Sequence, residues 1–347
     1  MSHSHRRHGH RAERGQSLVM ITVFMMSLLG ACALAIDVGA WYQAKRSVQA
    51  ATDAAALAGA SRLPVSQSAA RTAAAAQYAN NGLGSDSVSY TITMNQTAGD
   101  SVTVTASRTR STWFTRLFGH NSVVITASSR ATIQSFTRVV PQQNMMPWGV
   151  LQGQYTPGAQ FPIYTKDTAN ANNGALSPQF VNGQLCSAAN GASDYKNEIS
   201  GAENVCPLAV GDQVPTKTGN NSGPTSQGLT ARISTWKTFN QIVQLNADGT
   251  YQILDAASKQ LVLIPVVVNL NGSSTWPNGS SANMKVVGFA WFVILSCGTP
   301  PNTSQCSSSD GKQVNGEFVG LDTPDTSYTT GAWTGSAADA YTVSLTA

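Results

Sequence analysis

Of five histidines, four crowd the N-terminal tail as His3, His5, His8 and His10, and the fifth, His120, stands alone. A His-rich tail can bind metal, but without a packed scaffold it reads as a solvated basic segment. One remaining histidine rules out Ser-His-Asp and Cys-His catalysis after residue 140, and histidine-based metal sites with them. There is no P-loop, no Gly-x-Gly-x-x-Gly after a strand and no His-Glu-x-x-His. Residues 141–347 hold 12 Asp and Glu, and no spacing selects a catalytic pair among them. The expectation is a chain with no catalytic residues, no cofactor and no enzymatic activity.

The cysteines suggest a different use. Cys32 lies in an apolar run, while Cys186 with Cys206 and Cys297 with Cys306 form two local pairs. Four cysteines in a poorly charged Ser/Thr/Asn/Gly-rich region fit disulfides in an oxidising compartment. Zinc is disfavoured by the lack of Cys-x-x-Cys and of a nearby histidine. One loop gathers oxygen ligands: Asp167, Asn170, Asn172 and Asn173 precede Gly174, a composition that suits Ca²⁺. The run lacks the regular spacing and final Glu of an EF-hand, and Asn/Gly loops are common without metal, so no metal is expected. Tyr155, Phe161 and Tyr164 nearby would serve a glycan or protein ligand, or else the core.

Everything is positioned by the first 62 residues. Residues 18–36 carry no charge, and at about 1.5 Å per residue the run 17–40 covers roughly 36 Å, enough for a bilayer core of about 30 Å. Helix is the one single-segment geometry that satisfies its own backbone in lipid. No proline occurs between Ser17 and Pro64, so the helix is expected to run on through the Ala-rich residues 50–60. Ser27, Ala31, Ala35 and Gly39 recur every four residues as a ridge of small side chains, a helix-packing face. Asp37, near the outer end, is expected as an interfacial carboxylate facing water, the alternative being a polar contact with a partner helix. Arg6, Arg7, Arg11 and Arg14 precede the span, whereas Lys45 and Arg46 follow it beside Asp37 and Asp53. That asymmetry places the N-terminus in the cytoplasm and residues 42–347 outside an inner membrane. A cleaved signal peptide is disfavoured by the length of the apolar run.

The charge split runs the same way, with 13 Lys/Arg and 5 Asp/Glu in residues 1–140 against 8 and 12 in residues 141–347. The basic half includes the membrane flank, where anionic lipid attracts it. Scattered arginines without a recognition motif argue against nucleic acid. Residues 66–80 predict a second Ala-rich helix closed by Asn81-Gly82. Val88, Tyr90, Ile92 and Met94, then Val102, Val104 and Ala106, alternate as a hairpin, and residues 113–118 read as a short aromatic helix before a strand at 123–133. After Pro141, Gly, Asn and Pro punctuate short apolar runs. Residues 242–245 and 251–254 flank a hairpin turn, residues 261–270 and 284–295 are expected to pair as the core, and residues 166–230 read as loop-rich. Pro265 predicts an edge or a bulge. The class is α+β: a basic His-rich tail (1–16), a long transmembrane helix with its continuation (17–62), a small α+β module (63–140) and a mainly antiparallel exported β-rich domain (141–347).

Arg14-Gly15, residues 35–39 (Ala-Ile-Asp-Val-Gly), Trp41-Tyr42, Lys45-Arg46 and residues 49–60 (Gln-Ala-Ala-Thr-Asp-Ala-Ala-Ala-Leu-Ala-Gly-Ala) stand in an order and spacing that resembles the N-terminal segment of TadE/TadG-like Flp pilus-assembly proteins. The resemblance implies a membrane-anchored scaffold of a tight-adherence (Tad) pilus system. Its implied partners are other pilus-assembly membrane proteins or pilins, the lipid bilayer, and a second copy through the transmembrane helix. A surface adhesin or binding module on the same anchor, and a processed minor pilin, are the rival readings. Type IV-like prepilins are cut after a glycine before the apolar run and carry Glu at the fifth mature position. Cleavage after Gly15 would make Gln16 first and Met20 fifth, and Met20 cannot pair with a neighbour's amine, which favours an uncleaved anchor.

Overall fold

Uninterrupted apolar and Ala-rich sequence gives one helix, α1 (Glu13–Ala60), of 48 residues. At about 1.5 Å per residue it is about 72 Å long, roughly twice what a bilayer core needs. Its two halves meet different surroundings. The large side chains from Leu18 to Val38 are exposed, whereas Ala44, Val48, Ala51, Ala55, Ala56 and Ala60 are buried at helical spacing. Residues 17–60 contain the one stretch among the described residues long and apolar enough to cross a membrane. The structure is a computed structural model that describes residues 13–83, 86–93, 99–139, 144–165, 172–178, 180–185, 191–203, 206–277, 282–298, 305–306, 311–321, 328–336 and 340–346. His3, His5, His8 and His10 of the tail, and Met94 of the expected hairpin, lie outside these residues.

The Ala-rich half of α1 is the floor of the first unit. Helix α2 (Gln67–Tyr78) packs on it, started by Ser66, whose hydroxyl accepts from the Ala69 amide at 3.0 Å. Gly82, at φ +73°, supplies the left-handed residue after the helix. Strands β1 (Ser87–Thr93), β2 (Ser101–Ser111) and β3 (Ser122–Val139) form an antiparallel meander, and the alternating Val102, Val104, Ala106, Ala127 and Ala131 lie in one buried cluster with the α1 and α2 alanines. Small side chains on both layers allow the close approach. A Cβ on Gly59 would sit 3.1 Å from both Ala74 Cβ and Val102 Cγ1.

Beyond residue 140 the chain forms β4 (Trp148–Leu151), β5 (Gln160–Thr165), β6 (Asn173–Ala175), β7 (Phe180–Val181), β8 (Gln184–Leu185), α3 (Ala192–Ser200), β9 (Leu208–Ala209), β10 (Gln213–Pro215), α4 (Ser222–Arg232), α5 (Phe239–Ile242), β11 (Val243–Leu245), β12 (Tyr251–Ile253), β13 (Leu261–Asn269), β14 (Asn283–Cys297), β15 (Gln313–Val319), β16 (Tyr328–Ala332) and β17 (Tyr341–Thr346). The second sheet has the order β5-β15-β14-β13-β4-β6, with β10 beside β14. The expected pairing of the two most apolar strands is present as β13 against β14. Pro265 is not on an edge, because β13 lies between β14 and β4; the register instead slips at Val266/Val267, the bulge alternative. Helices segregated from mostly antiparallel sheets make the class α+β.

Two expectations change. Residues 166–230, read as loop-rich, also hold two helices among the described residues, α3 and α4. Their Gly and Pro content reads as turn, but Pro224 falls in the first turn of α4, and Tyr195, Ile199 and Leu229 are buried in one cluster with Trp148 and Phe292. The division at residue 140 is also crossed. β3, at 18 residues, outruns β2, at 11, and β16, β17 and β9 all pair with its far half. Trp333 and Tyr341 thus enter the α1 cluster, and Phe136 and Val139 enter the core of the second sheet. Arg62, just past α1, bonds Asp248 at 2.9 Å and the Thr250 hydroxyl in the β11–β12 turn, a further tie between the units.

Cys297 and Cys306 form a disulfide at the end of β14. Cys206 is disulfide-bonded, and its expected partner Cys186 lies outside the described residues. Cys32 is a free, exposed thiol.

The tight fit at Gly59 can be tested directly. Gly59→Val should lower stability by about 1–3 kcal/mol through overpacking, seen as a lower thermal midpoint of the full chain in detergent. Gly30→Val, where an added Cβ meets nothing within 4 Å, should leave the midpoint unchanged.

Candidate functional site

At the outer end of the apolar run, α1 grips the tip of the β2–β3 hairpin. The tip is a 3-10 turn, residues 115–118, ended by Gly119 at φ +87°. The leading N–H groups of such a turn have no partner inside it. The Asp37 carboxylate meets them directly. Oδ1 accepts from the Trp113 amide at 2.9 Å, and Oδ2 accepts from Phe114 at 3.0 Å and from Thr115 at 2.7 Å. The residue is 1% exposed. A carboxylate from a remote helix thus caps the turn with charge-assisted bonds. This corrects the expectation that Asp37 faces water: a neighbouring loop with three orphan donors outcompetes solvent for it.

The grip continues up the helix. Lys45 Nζ donates to the Thr126 carbonyl. Gln49 Nε2 donates to Ser129 Oγ at 2.9 Å and to Asp53 Oδ1 at 2.8 Å, and the Thr52 and Ser129 hydroxyls bond at 2.6 Å. Between these polar contacts Val48, Ala51 and Ala55 are fully buried. Sequence reasoning missed Gln49, Thr52 and Ser129. The available signal was a set of polar residues at helical spacing within an Ala-rich run, facing a strand with serine at its inward positions.

The small-residue ridge lies elsewhere. Ser27, Ala31, Ala35 and Gly39 are exposed, and a Cβ on Gly39 would meet nothing within 4 Å. Asp37 sits about 200° round the helix from Ala35, so the ridge and the carboxylate occupy opposite sides. The alternative reading of Asp37, a helix-packing contact with a partner helix, is therefore corrected as well: Asp37 packs inside the chain and the ridge is open. The Ser27 hydroxyl donates to the Val23 carbonyl at 2.9 Å, which satisfies it within the helix.

The other candidates separate. Gly15 and Gln16, the possible processing site, fall in the first turn of α1. Asp167 and Asn170 lie outside the described residues. Asn173 is in β6, paired with Val150 and buried, and the Asn172 carbonyl accepts from the Leu151 amide at 2.8 Å. Among the described residues no three His, Cys, Asp or Glu gather as a metal site. Tyr155 and Phe161 pack on Phe318 with centroids at 4.5 and 5.3 Å, and Tyr164 stacks with Trp148, so these aromatics serve the core. Glu198 on α3 is 3% exposed; burial pushes its carboxyl up to about 8, with Lys217 pulling the other way. Lys217 itself is pushed down by burial and lies 5.6 Å over the Tyr195 ring.

Residues 15–62 match the family model described as putative Flp pilus-assembly TadE/G-like. No curated protein and no solved structure matches the chain.

Asp37→Ala should release the hairpin tip without unfolding the chain. Bonds to a charged group contribute about 1.5–3 kcal/mol, so amide exchange at residues 113–115 should accelerate by roughly tenfold or more. A pH dependence is expected from α3. Glu198 holds its proton more tightly when folded than at its ordinary value of 4.5. The stability from that proton is complete below about pH 4.5 and is lost as pH rises through about 8. The thermal midpoint of the full chain should fall over this window, and Glu198→Gln should flatten the fall.

Proposed function

We propose that this chain is a single-pass, membrane-anchored assembly component of a Flp-type pilus system, with a cytoplasmic N-terminus and an extracytoplasmic β-rich body. The observation that carries the reading is the coincidence of two boundaries. The family match covers residues 15–62, and α1 over that same stretch is an exposed apolar span followed by a helix clamped to β2 and β3. A clamped helix transmits the tilt and rotation of the span to the body outside. Such coupling suits a scaffold that holds an envelope domain in a set orientation beside other pilus components. The reading assigns no catalytic step to the chain.

The exposed ridge is the face offered to a partner helix. Small side chains let a second membrane helix approach closely, and this face is free of the hairpin. The partner is another pilus-assembly membrane protein, a pilin or a second copy. The anchor is retained rather than cut after Gly15, because Met20 offers no carboxylate for subunit packing.

The test is photo-cross-linking in native membranes from a probe at Ala31. A probe at Met26, about 140° round the helix, is the reference. Pilus-system proteins or a second copy should be captured from Ala31 and lost in the Ala35→Leu background. Capture from Ala31 no greater than from Met26 would remove the ridge as a partner face and, with it, this support for assembly. Intact mass should include the residues before Gln16; a chain beginning at Gln16 would move the protein to the processed minor pilins.

A further inference from the structure

The hairpin tip carries the wrong side chains for water. Trp113 is 71% exposed, Leu117 79% and Phe118 82%. Phe114, Leu117 and Phe118 do not project away from the chain at random. They form one wall of an apolar groove of about 730 Å³, whose other wall is α1 at Leu29, Ala33 and Ile36. From Ile36 back to Leu29 is about 10 Å along the helix, a third of a bilayer core of about 30 Å. The tip therefore reaches past Asp37 to the depth of the apolar run itself.

A second groove, of about 590 Å³, lies one turn farther out along α1, lined by Trp41, Arg110, Trp113 and Arg116. The order along α1 is thus apolar side chains first, then tryptophan and arginine. A phospholipid presents the matching order, acyl chain and then phosphate, and tryptophan favours the boundary between them. Non-helical backbone at membrane depth requires its N–H groups to be satisfied by protein. Here Asp37 takes those of residues 113–115, the Thr112 amide donates to the Asn121 carbonyl, and the amides of Leu117, Gly119 and His120 donate within the turn.

The geometry points to a second membrane contact: the β2–β3 tip is immersed in the outer leaflet beside α1, with lipid acyl chains in the groove and lipid phosphate at Arg110 and Arg116. The inference rests on the membrane anchorage proposed above. The span fixes depth, and the tip fixes rotation about the span axis, since one side of α1 carries the wedge and the ridge side does not.

The test uses the full chain in vesicles of phosphatidylethanolamine and phosphatidylglycerol. Cys32→Ser removes the free thiol, and single nitroxide labels are placed through Leu117→Cys, Phe118→Cys, Met26→Cys and Ser128→Cys. Met26 reports the span, and exposed Ser128, farther up the hairpin, reports water. Leu117 and Phe118 are surface side chains, so labelling them leaves the fold intact. Collision with oxygen relative to a water-soluble nickel complex should be several-fold higher at 117 and 118 than at 128, and close to that at 26. A water-like ratio at 117 and 118 with a lipid-like ratio at 26 overturns the wedge and spares the anchor. A water-like ratio at 26 overturns both. Protection from both reagents, with spin broadening relieved by unlabelled chain, puts a second copy on the tip and overturns the lipid assignment.

Discussion

Asp37 stands where an exposed apolar helix becomes a packed one, and its two oxygens take three amides from a loop that begins 76 residues later in sequence. Without an acceptor there, the turn at residues 113–118 would have orphan donors beside the end of the span. With it, the hairpin starts its return at a fixed height on α1. Lys45, Gln49 and Thr52 then hold β3 along the helix, and alanines fill the space between. Polar bonds set the register and small apolar side chains set the distance.

Much of the fold could be read from the sequence because the local signals agreed with the tertiary outcome. The loss of charge over residues 18–36 and the absence of proline before Pro64 dictated α1. The period-two alternation at Val88–Ile92 and Val102–Ala106 dictated β1 and β2, and the apolar runs dictated β13 and β14. The failures share a cause. Asp37 was legible as a carboxylate at an interface, but its partners are amides, which nearly every residue has and no sequence pattern marks. Helices α3 and α4 carry Gly191, Gly223, Pro224 and Gly228 at their starts or within them, and their helicity comes from burial of Tyr195, Ile199 and Leu229 rather than from propensity. The return of β16 and β17 to β3 was hidden by the composition change after Pro141, which marks a change of surroundings and not a break in the sheet.

The two units share material rather than merely touching. β3 gives its first half to β2 and its second half to β9, β16 and β17, and Phe136 stacks on Tyr328 at 4.1 Å. Arg62 adds a charged tie to the β11–β12 turn. A rigid connection between span and outer sheet is the mechanical counterpart of the scaffold role proposed.

The pairing of β17 with β3 also imposes an order in time. The Thr132 and Thr346 hydroxyls that meet at 3.4 Å are 214 positions apart, so this edge of the first sheet stays unpaired until residues 341–346 have been synthesised. Contacts this distant in sequence form slowly, and an open strand edge invites pairing with other chains in the interval. The β17 edge of β3 therefore stays open while more than 200 residues are added, and closure of the sheet beside α1 waits on a segment remote in sequence from the helix it covers.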